Sequence, residues 1–175
     1  EIAGVRAQRY LPETIEQNIV RTADPDVAAA MIEQIEAARA AEDSVGGIVE
    51  CRATGMPVGL GDPVFDKLEA LLAHALMSIG AVRAFEIGAG IGAAGLHGSQ
   101  YNDEYYLEDG RVRTRTNNAG GCIGGISTGE DLILRAAVRP PASIAHEQQT
   151  VTTAGDETTI EVHGRHDPCI VPRVI

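Results

Sequence analysis

Apolar side chains recur at helical spacing in two segments of the chain. The first segment carries apolar residues at intervals of three or four positions, an arrangement that lines one face of a helix. These residues are Val27, Met31, Ile35 and Ala38. Asp24 and Pro25 precede them and are suited to cap the helix and to occupy its first position. The pattern predicts a helix over residues 25–41.

The second helical stripe follows a glycine turn at residues 59–61. Its apolar residues are Leu68, Leu72, Leu76 and Ile79, and the stripe is widened by Val64, Phe65, Leu71 and Ala75. We expect Asp62 to cap this helix and Pro63 to begin it. Gly80 stands where a helix would stop.

Other segments alternate apolar and polar residues, which is typical of β-strands. Such strands are predicted over residues 45–53, 82–87 and 132–138. Asp109-Gly110 separates residues 105–108 from 111–113 and predicts a hairpin, because Asp and Gly tolerate the positive φ angles of a two-residue turn. Two more strands, at Val151 and residues 160–162, are predicted around a turn at residues 154–156.

Helices separated by hairpin-connected strands predict an α+β fold, with apolar helix faces layered against a mainly antiparallel sheet. The chain has 175 residues, 44% of them hydrophobic, which is enough for one domain with a buried core. Since no long linker divides the sequence, we expect residues 1–175 to form a single domain.

The charge balance argues against two classes of partner. Fourteen Lys and Arg residues stand against 25 Asp and Glu residues, and the formal net charge of -11 would repel nucleic acid and anionic membrane surfaces. The later arginines nevertheless offer planar donor pairs that suit a small anionic ligand. The same arginines are explained equally well as charges on exposed strand faces.

The cysteines and the hydropathy pattern bear on the compartment. Cys51, Cys122 and Cys169 are an odd number at unrelated spacings, which argues against a disulfide framework and for a reducing compartment. No apolar run approaches the ~20 residues of a membrane span, and no signal peptide is recognised. We therefore expect a cytoplasmic protein.

Residues 90–95 read GIGAAG and fit the dinucleotide-binding fingerprint after a predicted strand. That fingerprint requires a helix whose N-terminus meets the pyrophosphate, and residues 96–102 carry no helical stripe. A flexible, glycine-rich connector is the preferred interpretation. A nucleotide site is the alternative.

Residues 120–125 place two Gly-Gly pairs around Cys122-Ile123. Backbone without side chains can approach a flat ligand closely, and successive N–H groups can converge on an anion. A tight structural crossing between a loop and the sheet would use the same glycines. The residues alone leave both interpretations open.

Two later segments also carry donors. Arg139 and Ser143 flank Pro140, Pro141 and Ala142, so a restrained backbone presents their hydrogen-bonding groups; a simple chain reversal is the alternative. Residues 163–169 contain the polar side chains His163, Arg165, His166, Asp167 and Cys169. Their spacing matches no common closed zinc site, so we predict no bound metal.

Several long motifs resemble those of chorismate synthases, in the same order along the chain. They are DSVGGIVE at residues 43–50, GLGDPVFDKL at 59–68, HALMSI at 74–79, FEIG at 85–88, NNAGGCIGGIS at 117–127 and GRHDPC at 164–169. The resemblance implies a lyase of the shikimate pathway that converts 5-enolpyruvylshikimate-3-phosphate, a small phosphorylated anion, to chorismate. The reaction is a 1,4-anti elimination of phosphate that requires reduced FMN without net redox change. A homotetramer is implied as well.

The resemblance also implies site residues. Flavin contacts fall on Gly80, Ala81, Gly124, Arg139, Pro140, Pro141, Ala142, Ser143 and Arg165. Arg165 is also placed beside the anionic groups of the substrate, and Asp167 matches an aspartate near flavin N5 that is proposed to assist proton removal. Arg139 replaces the family's usual lysine, and Pro141 and Ala142 replace its usual polar residues. We expect the turn with Arg165 and Asp167 to form one wall of the flavin cleft together with Gly124.

The resemblance is to the C-terminal portion of the family. The motifs with its two catalytic histidines, and most of its substrate-binding arginines, do not occur in this sequence. We therefore expect the 175-residue chain alone to be inactive and to bind reduced FMN weakly or not at all. Two rival hypotheses remain: a non-catalytic anion- or nucleotide-binding module built on residues 90–95, and a structural fragment whose glycines serve packing alone.

Overall fold

The structure, a computed structural model, describes residues 1–164 and 167–175. The α-helices are α1 Ala28–Ala40, α2 Leu68–Met77, α3 Gly98–Tyr101 and α4 Val171–Val174. The strands are β1 Gly47–Ala53, β2 Val82–Ile87, β3 Tyr105–Glu108, β4 Arg111–Thr114, β5 Cys122–Ile123, β6 Ile126–Ser127, β7 Leu132–Val138, β8 Gln148–Val151 and β9 Glu157–Ile160. Short 3₁₀ turns cover Pro12–Gln17, Pro25–Val27 and Gly90–Gly95.

The Cα positions group into two compact units. Unit 1 consists of Glu1–Val49 and Val138–Ile175, and unit 2 consists of Glu50–Ala137. Unit 1 is therefore discontinuous in sequence, whereas unit 2 is continuous. The single domain expected from the length of the chain stays a prediction.

The strand pairings agree with the expected fold class. One sheet has the strand order β1-β7-β2. The other pairs are antiparallel hairpins, namely β3 with β4, β5 with β6 and β8 with β9. Helices combined with antiparallel strands confirm the α+β class.

The central strand β7 shows why this sequence forms a sheet. Its residues alternate strictly between buried and half-buried positions, as the two-residue period of a strand requires. Leu134 and Ala136 lie on the buried face. Arg135 lies on the other face, where its Nε is 2.9 Å from Oε2 of Glu50 and its Nη1 is 3.8 Å from Oε2 of Glu86.

Two elements with strong local signals form as predicted. Residues 25–41 fold as a 3₁₀ turn followed by α1, and Met31 and Ala38 of the apolar stripe are buried. The β3–β4 hairpin turns at Asp109 and Gly110, whose φ angles are 49° and 76°. Both angles are positive, which is the backbone geometry that a two-residue turn of this type needs.

The prediction that the second helix begins at Pro63 was wrong, because α2 begins at Leu68. Asp62 and Asp66 exchange backbone hydrogen bonds of 2.9 and 3.0 Å, so this segment forms a closed loop instead of a first helical turn. Val64 and Phe65, expected in the apolar stripe, are 72% and 91% exposed. The backbone N–H of Leu68 donates to the carbonyl of Gly125 at 2.9 Å, which satisfies a donor at the helix start.

Residues 90–95 form a 3₁₀ turn within the glycine-rich connector that the sequence predicts. A helical turn, α3, follows at Gly98–Tyr101, although no apolar stripe marks it. The side chain of Gln100 accepts a hydrogen bond from the backbone N–H of His97 at 2.9 Å, so local capping replaces the missing stripe. Four residues are too few for the long helix that the dinucleotide fingerprint opens.

Asp24 does not cap the first helix with its side chain, contrary to the sequence-based expectation. The buried carboxylate of Asp24 instead accepts hydrogen bonds from the backbone N–H groups of Gln8, at 2.9 Å, and Arg9, at 3.1 Å. The guanidinium of Arg9 adds two more bonds, at 3.0 and 3.2 Å. Asp24 therefore fastens the N-terminal segment of unit 1 to the start of α1.

We expect this contact to make the stability of unit 1 depend on pH. The backbone N–H of Gln8, followed by the side chain of Arg9, holds the pKa of Asp24 below its ordinary value, although burial opposes the shift. A carboxyl group with a lowered folded-state pKa stabilises the fold above its unfolded pKa of about 4 and loses that contribution as the pH falls. Urea unfolding from pH 7 to pH 3 is expected to show this loss in the wild type and to show it reduced in Asp24→Asn.

Asp26 supplies the matched control for this measurement, because it is exposed and pairs with the same Arg9. Asp26→Asn is expected to keep the wild-type pH profile. Identical acid profiles for the wild type and Asp24→Asn would contradict the stabilising role of the Asp24 carboxylate.

Candidate functional site

Residues 117–127, called here the glycine bend, form a tight hairpin in unit 2. Strands β5 and β6 pair through Ile123 and Ile126, and Gly124 and Gly125 form the turn between them. The φ angles of these glycines are 62° and 90°, in the left-handed region that side chains disfavour. The doubled glycines at this point are therefore required by the backbone of the turn.

Other glycines of the bend serve a tight packing contact. A Cβ atom on Gly120 would lie 2.3 Å from the backbone nitrogen of Gly88, and one on Gly121 would lie 2.5 Å from the carbonyl oxygen of Asp131. A Cβ on Gly125 would lie 2.7 Å from Cγ of Lys67. Such distances leave no space for a side chain. Tight packing therefore accounts for the missing side chains at these three positions.

Gly124 differs from these glycines because its missing side chain faces open space. No heavy atom lies within 4 Å of the position that a Cβ would occupy. Gly124 lines a cavity of about 380 Å³, called here the glycine-bend cavity, together with Glu69, Ile87, Asp103, Cys122 and Ile123. That volume falls in the range of about 300–1,000 Å³ that is common for small-molecule sites.

Asp103 forms hydrogen bonds with the N-terminal end of the glycine bend. Its carboxylate accepts hydrogen bonds from the hydroxyl of Thr116 at 2.6 Å and from the backbone N–H groups of Asn118 and Ala119 at 2.7 and 2.9 Å. Burial raises the pKa of Asp103, but these donors outweigh burial, so the pKa lies below its ordinary value. The carboxylate therefore stays ionised and organises the bend.

Glu69, in the first turn of α2, contacts the middle of the glycine bend. The thiol of the buried Cys122 donates to Oε2 of Glu69 at 2.8 Å. Burial, followed by the hydrogen bond and negative charge of Glu69, raises the pKa of Cys122 to about 11. Burial opposes ionisation of Glu69 too, yet the bond from Cys122 helps to hold its pKa below the ordinary value. Cys122 is therefore a neutral thiol at physiological pH, and this environment does not activate it as a nucleophile.

No sequence motif marks Glu69. Residues 69 and 122 are 53 positions apart, and a first-turn glutamate is common in solvated helices. No local pattern links the two positions, so only the folded chain reveals the contact.

Unit 1 contains a second cavity, of about 260 Å³, called here the Asp167 cavity. It brings Ser143 and Asp167 together, and Arg39, Asp43, Ser44 and Ile144 also line it. The backbone N–H of Val45 donates to the carbonyl of Pro168 at 2.8 Å, which fixes the segment that carries Asp167.

Asp167 is oriented by an arginine from the short helix α4. Nη1 of Arg173 lies 2.6 Å from Oδ2 of Asp167, and Nη2 donates to Oδ1 at 2.9 Å. This bidentate contact fixes the plane of the Asp167 carboxylate more firmly than a lysine would, because the two N–H donors of the guanidinium match the two carboxylate oxygens.

The remaining predicted site residues lie in less enclosed places. Arg139 is exposed, and its guanidinium donates to the carbonyl of Pro140 at 2.8 Å. The hydroxyl of Ser44 donates to the carbonyl of Pro141 at 2.6 Å, and Ala142 is exposed.

Gly80 and Ala81 lie in unit 2 and connect α2 to β2. Gly80 is exposed, and Ala81 is half-buried with a φ angle of 71°. Arg165 lies outside the described residues. Gly124 belongs to unit 2 and Asp167 to unit 1, so the common wall expected for them stays a prediction.

Across residues 1–164 and 167–175, no group of three or more His, Cys, Asp and Glu side chains has an arrangement that could hold a metal ion. His163, expected among the polar side chains of its segment, is paired with Glu161 at 2.9 Å. In the same described residues, every helix is too short or too polar to cross a membrane.

Known proteins similar to this chain point to one family. A family model described as chorismate synthase matches residues 2–175. A chorismate synthase of Methanocella arvoryzae is 55% identical over 179 residues, covering 99% of this chain and 48% of that protein. One of Chloroflexus aggregans is 52% identical over 176 residues, covering 100% of this chain and 48% of that protein.

A solved structure gives the same result. A crystal structure of chorismate synthase matches with a TM-score of 0.71 at 32% sequence identity, covering 75% of this chain and 40% of that chain. The chain thus spans about half the length of the curated relatives it matches.

Proposed function

Because the chain belongs to the chorismate synthase family, we propose that it forms a flavin-binding and proton-accepting portion of a chorismate synthase. The proposed reaction is the 1,4-anti elimination of phosphate from 5-enolpyruvylshikimate-3-phosphate, which gives chorismate. The chain matches about half of each relative, so we assign it a part of the active site and not the whole.

The observation that carries the proposal is the contrast between Gly124 and its neighbours. Packing excludes side chains at Gly120, Gly121 and Gly125, whereas at Gly124 the turn backbone favours glycine and the open Cβ position leaves bare backbone beside the cavity. A position that is kept clear beside a cavity suits a ligand that approaches the backbone closely. From family membership we infer that this ligand is reduced FMN.

The chemistry of the glycine-bend cavity fits the flat ring of a flavin better than its phosphate. Ile87 and Ile123 give the cavity apolar surface, and Gly124 adds bare backbone. The carboxylates of Glu69 and Asp103 already accept hydrogen bonds from the protein. No Lys or Arg is among the described residues that line the cavity, so the phosphate group would need cations from elsewhere.

Reduced FMN, when bound, supplies electron density to the substrate. Gly80, Ala81, Gly124 and residues 139–143 would hold it, and Arg165 would contact both the flavin and the anionic substrate. Asp167 accepts or relays the proton that leaves the substrate, since a carboxylate at such a site is a competent base. Arg173 keeps that carboxylate in one orientation, and Arg165 would contact the negative charge of the leaving phosphate.

We also infer that the complete protein is a cytoplasmic homotetramer, as family membership implies. The exposed apolar residues of unit 2 support an assembly, because large side chains in water are suited to contacts with other chain segments. They include Val64, Phe65, Leu107 and Val112.

A chimera tests the proposed function. The segment of the Methanocella arvoryzae protein that matches residues 1–175 is replaced by this chain, and chorismate formation is followed with reduced FMN. We expect the chimera to form chorismate at about a tenth of the parental rate or better, because hydrophobic cores of similar pattern tolerate substitution. The isolated 175-residue chain is expected to form none.

The parental protein is the positive control. A chimera that folds, binds FMN as the parental protein does and forms no chorismate would contradict the proposed function. Chorismate formation by the isolated chain would contradict its assignment as a part of the active site.

A further inference from the structure

We propose that Glu69 is a positioning residue that holds the glycine bend, and with it Gly124, in the conformation that receives the flavin ring. The inference rests on the proposed function and adds to it a residue of α2 that the sequence resemblance does not include. Glu69 would act through Cys122 and not by touching the reacting atoms.

The start of α2 contacts the glycine bend on both sides of Gly124. Before Gly124, the thiol of Cys122 donates to Glu69 at 2.8 Å. After Gly124, the carbonyl of Gly125 accepts from the N–H of Leu68 at 2.9 Å. Two consecutive helix residues therefore hold the first arm of the hairpin and the second residue of its turn, and Gly124, which lines the cavity, lies between these two contacts.

Steric contact limits how the glycine bend can move. The Cβ position of Gly125 lies 2.7 Å from Cγ of Lys67, so the bend already rests against the residue before α2. Movement in the opposite direction would break the bonds to Leu68 and Glu69. Since Glu69 also lines the glycine-bend cavity, loss of its side chain would both release Cys122 and alter the wall beside Gly124.

The charges around Glu69 favour this hydrogen bond. A neutral thiol donates to an ionised carboxylate, which makes the bond stronger than one between two neutral groups. Nζ of Lys67 lies 3.6 Å from Oε1 of Glu69, but both side chains are partly exposed and such pairs contribute little. Asp103 is the other carboxylate that lines the cavity, and its bonds run to Thr116, Asn118 and Ala119.

The alternative is that Glu69 only stabilises the N-terminus of α2 through its negative charge. The two roles differ in which substitutions they tolerate. Glutamine lacks the charge but keeps an oxygen that can accept the thiol hydrogen, whereas alanine lacks both. A positioning role tolerates Glu69→Gln, and a purely electrostatic role does not distinguish glutamine from alanine.

Titration of the chimera with oxidised FMN, followed by flavin fluorescence, measures the effect on binding. We expect Glu69→Ala and Cys122→Ala each to weaken FMN binding about tenfold, the scale of a lost hydrogen bond to a charged group. Glu69→Gln is expected to remain within about threefold of the unsubstituted chimera, since its acceptor is kept. The double alanine variant is expected to lose about tenfold and not about a hundredfold, because both side chains act through one contact.

A second readout does not depend on flavin. Alkylation of Cys122 in the isolated chain, followed by peptide mass spectrometry across a pH series, reports its thiol pKa, because the peptides that carry Cys51 and Cys169 are detected separately. In the unsubstituted chain the pKa of Cys122 is about 11. In Glu69→Ala we expect this pKa to be lower, because the neighbouring carboxylate is lost. The exposed Glu33 on α1 supplies the control, and Glu33→Ala is expected to change neither readout.

The outcomes separate the two proposals. If the unsubstituted chimera does not bind FMN, the proposed function fails and the positioning role fails with it. If the chimera binds FMN and Glu69→Ala binds equally well, the positioning role alone is overturned, even where the pKa of Cys122 changes. Equal losses in the glutamine and alanine variants would overturn it in favour of the helix-terminus role.

Discussion

Gly120→Ala is expected to destabilise unit 2 severely, whereas Gly124→Ala is expected to leave it folded and to impair flavin binding. A methyl group on Gly120 would lie 2.3 Å from the nitrogen of Gly88 and 2.5 Å from its Cα. Gly88 cannot withdraw freely, because its backbone N–H donates to the carbonyl of Ile133 at 2.9 Å. Overpacking and the left-handed backbone together are expected to cost about 2–5 kcal/mol.

At Gly124 the expected cost is smaller and of a different kind. Its φ of 62° disfavours alanine by about 1–2 kcal/mol, but the new methyl group meets no protein atom. That methyl group would instead project beside the glycine-bend cavity. We therefore expect FMN binding by the chimera to weaken about tenfold or more, as a ligand in contact with the bend is displaced.

Tyrosine fluorescence during urea unfolding suits this comparison. The chain has no Trp, and Tyr101, Tyr105 and Tyr106 lie in unit 2. Wild-type stability in Gly120→Ala would contradict the tight crossing at Gly88. Unchanged FMN binding in Gly124→Ala would contradict the placement of the flavin beside Gly124.

Asp167→Asn is the substitution expected to affect catalysis most. In the chimera we expect kcat to fall by about 10²–10⁴-fold, the usual contribution of a group that transfers a proton in the transition state. Asparagine has nearly the same shape and keeps an oxygen for Arg173, but it cannot accept the proton. KM and FMN affinity are expected to change by less than about threefold, because the loss is confined to the transition state.

Asp156 provides the control for this substitution. It is an exposed aspartate of the same unit, beside the turn between β8 and β9. Asp156→Asn is expected to retain the kcat of the unsubstituted chimera in assays of phosphate release. A similar kcat in Asp167→Asn would remove Asp167 from the proton transfer and leave it only the structural contact with Arg173.

Elements determined by neighbouring residues were predictable from the sequence. The alternation of β7 and the Asp109-Gly110 turn are complete within a few positions, so their residue types alone indicate the structure. The start of α2 was not predictable, because Asp62 and Asp66 close a loop and Leu68 donates to the distant Gly125. Asp24 shows the same limit, since Gln8 and Arg9 compete for the carboxylate that helical patterns assign to capping.

At the candidate site, residue types alone do not determine the role of each residue. The six letters GGCIGG fit both a ligand loop and a packing contact, and the folded chain assigns different glycines to each. Arg173 and Glu69 act through partners, Asp167 and Cys122, that no helical or strand period connects to them. Such residues emerge only when the distances between side chains are known.

The interrupted course of unit 1 has a consequence for biosynthesis. Unit 2 occupies one uninterrupted stretch, Glu50–Ala137, so all of its partners are present once that stretch has left the ribosome. The segment Glu1–Val49 must wait for Val138–Ile175, and its native contacts have a high sequence separation. Translation therefore favours maturation of the central segment before that of Glu1–Val49, which of these 175 residues stays longest in need of chaperone protection.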